Sequence, residues 1–198
     1  MLTAGLLLSA GIGLFTLDAT AGSDDLAAVE QDVRKDFPAV SHLGTAAFAD
    51  VKAADDDVLI VDVRETDEFA VSHIAGANNV PFSRGTDAFL RSYGGDVAGK
   101  TIVFYCSVGV RSSKVADRLQ ADLRARGAKA VYNVDGGIFR WHGEARPLVD
   151  QTGATAYVHP YDTYWGRLVK RRKFLSYSPR TPSLDLSQGT VPDRTSVR

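Results

Sequence analysis

The sequence predicts an α/β domain with a central parallel sheet of about five strands and helices on both faces. Two observations carry that expectation. Val58-Leu59-Ile60-Val61 and Thr101-Ile102-Val103-Phe104-Tyr105 are continuous apolar runs, as in strands covered on both faces. Between and after them the apolar residues take helical spacing, as in Val115, Ala116, Leu119 and Leu123. At 198 residues and 44% hydrophobic, the chain can bury one good-sized core with appendages. The net charge of −1 hides an asymmetry: residues 167–198 carry eight Lys/Arg against two Asp, net +6, which leaves residues 1–166 at −7. The main body therefore offers no basic surface for nucleic acid.

Residues 1–21 open the chain without a charge until Asp18, apolar through Leu6-Leu7-Leu8 and Ile12 to Leu17 and ending on the small-x-small site Ala19-Thr20-Ala21. This pattern is expected of a secretory signal peptide or, uncleaved, an N-terminal anchor, although a positive n-region is missing. The run is short for a spanning helix, which needs about 20 apolar residues, and the plainer alternative is an apolar helix packed on the domain. Export, to the periplasm or the cell envelope, is the expected location. Residues 22–39 form a helical extension: Ser23-Asp24-Asp25 enters it, Leu26, Val29, Val33 and Phe37 repeat on one face, and Pro38 stops it.

The domain itself is expected over residues 40–150. A short strand near Val40–His42 and a helix around Thr45–Val51 precede Asp55-Asp56-Asp57, which reads as a solvated turn because consecutive carboxylates point in different directions and make a poor metal site. The run Val58–Val61 then delivers Asp62-Val63-Arg64-Glu65 to a strand's carboxyl end, where open α/β sheets place their sites. A helix over Glu65–Ala70 follows, then a loop through Ser72 and His73 into a short edge strand ended by Pro81. A helix at Ala88–Tyr93 and the Gly94-Gly95 turn lead to the run Thr101–Tyr105. Past the next helix, Gly127 caps, Ala130–Tyr132 gives a fifth strand, and Asp135-Gly136-Gly137 opens a helix carrying Phe139 and Trp141.

Between Thr101–Tyr105 and the helix after it sits Cys106-Ser107-Val108-Gly109-Val110-Arg111-Ser112, with the only cysteine in the chain. A lone cysteine after an apolar strand is commonly a buried small hydrophobe. Here the loop argues for more. A thiolate at a strand's carboxyl end, under loop N–H groups and the positive end of a helix dipole, is favoured electrostatically. Gly109 permits close backbone approach, Ser107 and Ser112 offer hydroxyls, and Arg111 adds a fixed positive charge. The loop reads as an anion cradle with a nucleophile at its base. No metal or other cofactor is called for.

Four pieces in order make a resemblance. Asp62-Val63-Arg64-Glu65 with Glu68-Phe69, His73-Ile74-x-Gly76-Ala77-x-Asn79-x-Pro81, Cys106-x-x-Gly109-x-Arg111-Ser112, and Gly136-Gly137 with Trp141 together resemble a single-domain rhodanese, of the thiosulfate sulfurtransferase family. The resemblance implies that Cys106 takes a sulfane sulfur as a persulfide and passes it to a thiophilic acceptor such as cyanide or a thiol. The residues fit that chemistry: loop amides and Arg111 are expected to hold an anionic donor such as thiosulfate and stabilise departing sulfite. Asp62, Arg64 and Glu68 are expected to support the loop from below as an ion-paired base. His73 reads as a satisfied loop histidine, because thiolate attack on a sulfane sulfur removes no proton.

Two rivals remain. A cysteine-based phosphatase or arsenate reductase spaces cysteine and arginine by five residues, whereas four separate them here, leaving less room for a tetrahedral anion. A non-catalytic module on the same fold would dock a partner without turnover. Residues 151–175 turn aromatic and then basic. Tyr161, Tyr164, Trp165, Leu168 and Val169 fit one helix face despite Gly166, and Lys170, Arg171, Arg172 and Lys173 would suit an acidic protein partner or an anionic membrane surface. Residues 176–198 are Ser/Thr/Pro-rich and expected to be disordered.

Overall fold

The computed structural model describes residues 25–181. The expected signal or anchor, and the tail beyond residue 181, lie outside them. Five parallel strands form one sheet in the order β1-β5-β4-β2-β3: β1 (Ser41–Leu43), β2 (Val58–Asp62), β3 (Asn78–Asn79), β4 (Thr101–Tyr105) and β5 (Ala130–Val134). The continuous apolar runs are β2 and the central β4, two of the three inner strands, as expected where a sheet is covered on both sides. Alternation along β4 divides the core: Val103 and Tyr105 pack on one face with Phe48, Ile138 and Trp141, while Ile102 and Phe104 pack on the other with Phe89, Leu119 and Leu123.

Helices α1 (Asp25–Asp36), α2 (Thr45–Ala54) and α6 (Gly137–Gly143) supply the first face; α4 (Thr86–Tyr93) and α5 (Val110–Ala125) supply the second. The short α3 (Thr66–Val71) follows β2 and carries a capping box between Glu65 and Glu68. The helix expected from residue 26 is an integral part of the structure: Leu26 and Val33 are buried, and Glu30 pairs with Arg140 of α6. It ends before Phe37, whose ring is partly buried on the second face.

Three expectations change after residue 147. An antiparallel hairpin, β6 (Leu148–Asp150) with β7 (Gly153–Thr155), spans the expected boundary at 150 and joins the domain through a bridge between His73 and Val149. The expected single helix face from Tyr161 to Val169 is instead a loop and one 3-10 turn over Trp165–Leu168, because Asp162 caps Trp165 through its side chain and Gly166 packs against Pro160. Val158, Leu168 and Val169 are nonetheless buried in the main core. Finally, within the segment expected to be disordered, Arg180 is held by an ion pair to Asp150, whose carboxylate is fully buried. No helix among the described residues is long and apolar enough to cross a membrane.

Candidate active site

Central strand β4 ends at Tyr105, so the next residue sits at the carboxyl edge in the middle of the sheet, where flanking loops can surround it. Cys106 is only 1% exposed, yet it lines a small cleft of about 110 Å³ with Ser107, Val108, Val110 and Arg111. The Gly109 amide donates to Cys106 Sγ at 3.2 Å. Gly109 holds φ +99° at the N-cap of α5, a conformation that turns the chain from loop to helix and favours glycine. The first turn of α5 leaves the N–H groups of Val110, Arg111 and Ser112 without intrahelical acceptors beside the sulfur. Gly109 and Ser112 themselves do not line the cleft; Ser112 is fully buried and its Oγ has no partner among the described residues.

Of the supporting residues, Arg64 pairs with Asp62 as expected, whereas Glu68 has a different partner. Arg64 is fully buried and grips Asp62 through Nε and Nη2, with Nη2 also donating to the Ser72 carbonyl at 2.6 Å. Burial opposes its charge, but the Asp62 carboxylate outweighs that and keeps the guanidinium protonated. Glu68, expected beside Arg64, is instead the partner of Arg111: the two guanidinium ends donate to its two oxygens at 2.8 and 2.9 Å. Ser107 Oγ adds a third bond to Glu68 and the Glu65 amide a fourth, so the buried carboxylate is saturated. Burial pushes the Glu68 carboxyl up, but the Arg111 hydrogen bonds and the charges of Arg111 and Arg64 hold it below the usual carboxylate range. Arg111, expected as a free cation for an anionic donor, is thus a strut between α5, Ser107 and α3. His73 is a satisfied loop residue: Nδ1 meets the Phe69 carbonyl and its ring stacks on Phe69.

Two parts of the site were not read from the sequence. The first is the buttress from α6, whose first amides donate to the cysteine loop, Ile138 N to Cys106 O and Phe139 N to Ser107 O. Gly137, at φ +51°, lies so close that a Cβ would strike those same carbonyls. The second is the far wall of the cleft, Tyr161 and Trp165, with Arg111 Cζ 4.7 Å from the Tyr161 ring centre. Their aromatic cluster was visible in the sequence; what it would cover was not. No group of His, Cys, Asp or Glu among the described residues is arranged to hold a metal.

Comparison with known proteins agrees with this geometry. The Rhodanese-like domain family matches residues 45–144. The putative sulfurtransferase YtwF of Bacillus subtilis is 32% identical over 108 residues, 54% of this chain and 96% of that protein. The uncharacterized YqhL of the same organism is 34% identical over 88 residues, 44% of this chain and 63% of its own length. A tRNA uridine(34) hydroxylase of Pectobacterium atrosepticum is 33% identical over 100 residues but only 26% of its length is spanned. The thiosulfate sulfurtransferase of Pseudomonas aeruginosa shares the fold at a TM-score of 0.51 and 15% identity, over 76% of this chain and 27% of that one. A parallel sheet that sets one cysteine under helix amides at its carboxyl edge, inside the matched segment, leaves one conclusion: this chain belongs to the rhodanese-like domain family.

Proposed function

We propose that the protein is a sulfurtransferase that moves a sulfane sulfur from a donor such as thiosulfate to a thiol or cyanide through a persulfide on Cys106. The family includes sulfurtransferases with such donors and acceptors. The observation that carries the reading is Cys106 Sγ at the floor of a cleft, bonded by the Gly109 amide at the head of α5. In the loading step the Cys106 thiolate attacks the outer sulfur of thiosulfate. A bond forms from Sγ to that sulfur, its bond to the central sulfur breaks, and the electron pair leaves with sulfite. No proton moves and no external oxidant or reductant is consumed. The persulfide then accepts hydrogen bonds from the amides that faced the thiolate. An external thiolate or cyanide takes the sulfur and restores Cys106, since the chain has no second cysteine to resolve it.

The commitment of Arg111 to Glu68 weighs against phosphatase chemistry, which needs the guanidinium on the transferred group. Mass spectrometry after thiosulfate treatment tests the reading directly. One added sulfur atom on Cys106, lost on cyanide addition and absent in Cys106→Ser, is the expected result. Substantial sulfur transfer by Cys106→Ser would sink it, and a wild type left unmodified by thiosulfate and by an organic sulfane donor alike would leave a partner-docking module.

Two further proposals concern place. Export rests on Leu6–Leu17 and Ala19-Thr20-Ala21, and N-terminal sequencing of fractionated native protein tests it; an intact Met1 on soluble cytoplasmic material would refute it. Contact with an anionic surface rests on Lys170, Arg172 and Lys173, which are exposed, whereas Arg171 is partly withdrawn onto the His142 carbonyl and Phe174.

A further inference from the structure

Tyr161 and Trp165 lie outside the segment that matches the family, yet they close the Cys106 cleft opposite Val108 and Val110. Tyr161 adopts φ +68°, a left-handed conformation disfavoured for an aromatic residue. Its amide is secured to His159 Nδ1 at 3.0 Å, and its ring covers the Arg111 guanidinium. Trp165 is fixed from the other side, its amide on Asp162 Oδ1 and its ring edge-to-face with Tyr164. Beyond the sulfur, Val110 and Trp165 also line a second, larger cleft of about 250 Å³ between α1 and this segment, walled by Val29, Val33 and Phe37. Its charged rim is Asp32, Asp36 and Lys114.

These surroundings suit one kind of donor better than another. A small dianion needs unpaired cationic or N–H groups around its charged end. The amides at the head of α5 are turned to the sulfur itself; farther out, both ends of Arg111 are taken by Glu68, its face by Tyr161, and two carboxylates stand against one lysine on the rim of the adjoining groove. An apolar organic group attached to the sulfane sulfur would instead leave water for Trp165, Val110 and the groove beyond.

We propose, resting on the sulfurtransferase reading, that Trp165 and Tyr161 are specificity-determining residues that select sulfane donors carrying an apolar organic group over thiosulfate. Such a donor is an organic persulfide or thiosulfonate. For a thiosulfonate the Cys106 thiolate attacks the outer sulfur, the sulfur–sulfur bond breaks, and the electron pair departs with the organic sulfinate. The transferred sulfur is the same atom that thiosulfate would give, so two donors can be compared on one product.

The experiment measures the rate of persulfide formation on Cys106 in the full chain, by rapid quench and mass spectrometry, with benzenethiosulfonate and with thiosulfate. The wild type loads faster from benzenethiosulfonate at low donor concentration. Trp165→Ala lowers that preference about tenfold, the scale of one lost apolar contact, by raising the donor concentration needed for half-maximal rate. Trp165→Phe restores most of it, which a merely structural role would not do. Tyr161→Gly keeps the left-handed backbone without strain and removes the ring, so it lowers the preference even if Trp165→Ala does not fold. A wild-type preference for thiosulfate, or a preference unchanged in both ring deletions, overturns the assignment. Loading by thiosulfate alone overturns it while sparing the sulfurtransferase reading; loading by neither donor overturns both.

Discussion

Arg111 and Glu68 form the charge pair on which the cysteine loop's shape depends. Glu68 has a side chain only 2% exposed, and Arg111 is 17% exposed. Removing the arginine strands a buried carboxylate, so the dominant consequence is structural. Arg111→Ala is expected to cost on the order of 3 kcal/mol, the low end of the range for breaking a buried pair because water reaches the arginine. Urea unfolding measures this, and adding Glu68→Gln should return part of the loss, since the stranded charge is then gone. If Arg111→Ala instead left stability intact and only slowed loading by thiosulfate, the arginine would be a donor-binding group after all. Arg64 repeats the pattern one layer deeper, against Asp62 with no solvent exposure on either side chain.

At the scale of elements, the site is a junction of two helix N-termini on one strand end. The head of α5 faces the sulfur, and the head of α6 faces the loop's own carbonyls. The neighbouring glycines therefore differ in consequence. At Gly136 a Cβ would meet the end of the Glu30 side chain, which can move, and the Arg140 Cβ at 2.7 Å, a clash within α6 itself, whereas at Gly137 it would meet the backbone of the cysteine loop, at Cys106 and Ser107, with Ser107 O at 2.8 Å. Gly137→Ala is expected to destabilise by about 1–3 kcal/mol, the usual cost of overpacking, and to slow persulfide loading through displacement of Cys106. Gly136→Ala should weaken the Glu30–Arg140 pair and leave loading much closer to wild type. Equal loading defects in the two variants, compared at matched folded fraction, would contradict this.

For the molecule as a whole, the segment after residue 147 is fastened by two buried histidines. His142 meets the Ala156 carbonyl through Nε2 at 2.9 Å, while its Nδ1 is buried without a partner among the described residues; His159 accepts the Tyr161 amide and packs edge-to-face on Tyr177. Burial pushes both imidazoles below their ordinary value, with Arg171 adding to the effect at His142; at His159, Glu68 and Asp67 oppose it in part. The unfolded chain takes up these protons near pH 6.5, the folded chain only at lower pH, so stability is complete above about 6.5 and falls as pH drops below it. The melting temperature should decline from pH 7 to pH 5, and His142→Gln with His159→Gln should flatten that slope. An unchanged slope in the double variant would place the acid sensitivity elsewhere. Asp150, held down to about 2 chiefly by the Arg180 hydrogen bond, titrates outside this window.

Local pattern was enough for the sheet and for the cysteine loop at its carboxyl edge. Apolar runs marked β2 and β4, helical spacing marked α5, and a lone cysteine with Gly109 at the junction marked the loop, because each signal depends on neighbours in sequence. Pairings across the fold were another matter. Glu68 stands 43 residues from Arg111, and both it and Asp62 were plausible partners for Arg64 until α3 and α5 met. Gly137 carried a turn signal, but only the packing of α6 on the cysteine loop explains why no side chain fits there. The aromatic residues after 156 fitted a helix face on periodicity alone, whereas Pro160, the Asp162 cap and Gly166 bend them into a wall over Cys106. Periodicity reports which residues leave water; which surface receives them is decided by tertiary packing, and here that surface is the mouth of the cleft over Cys106.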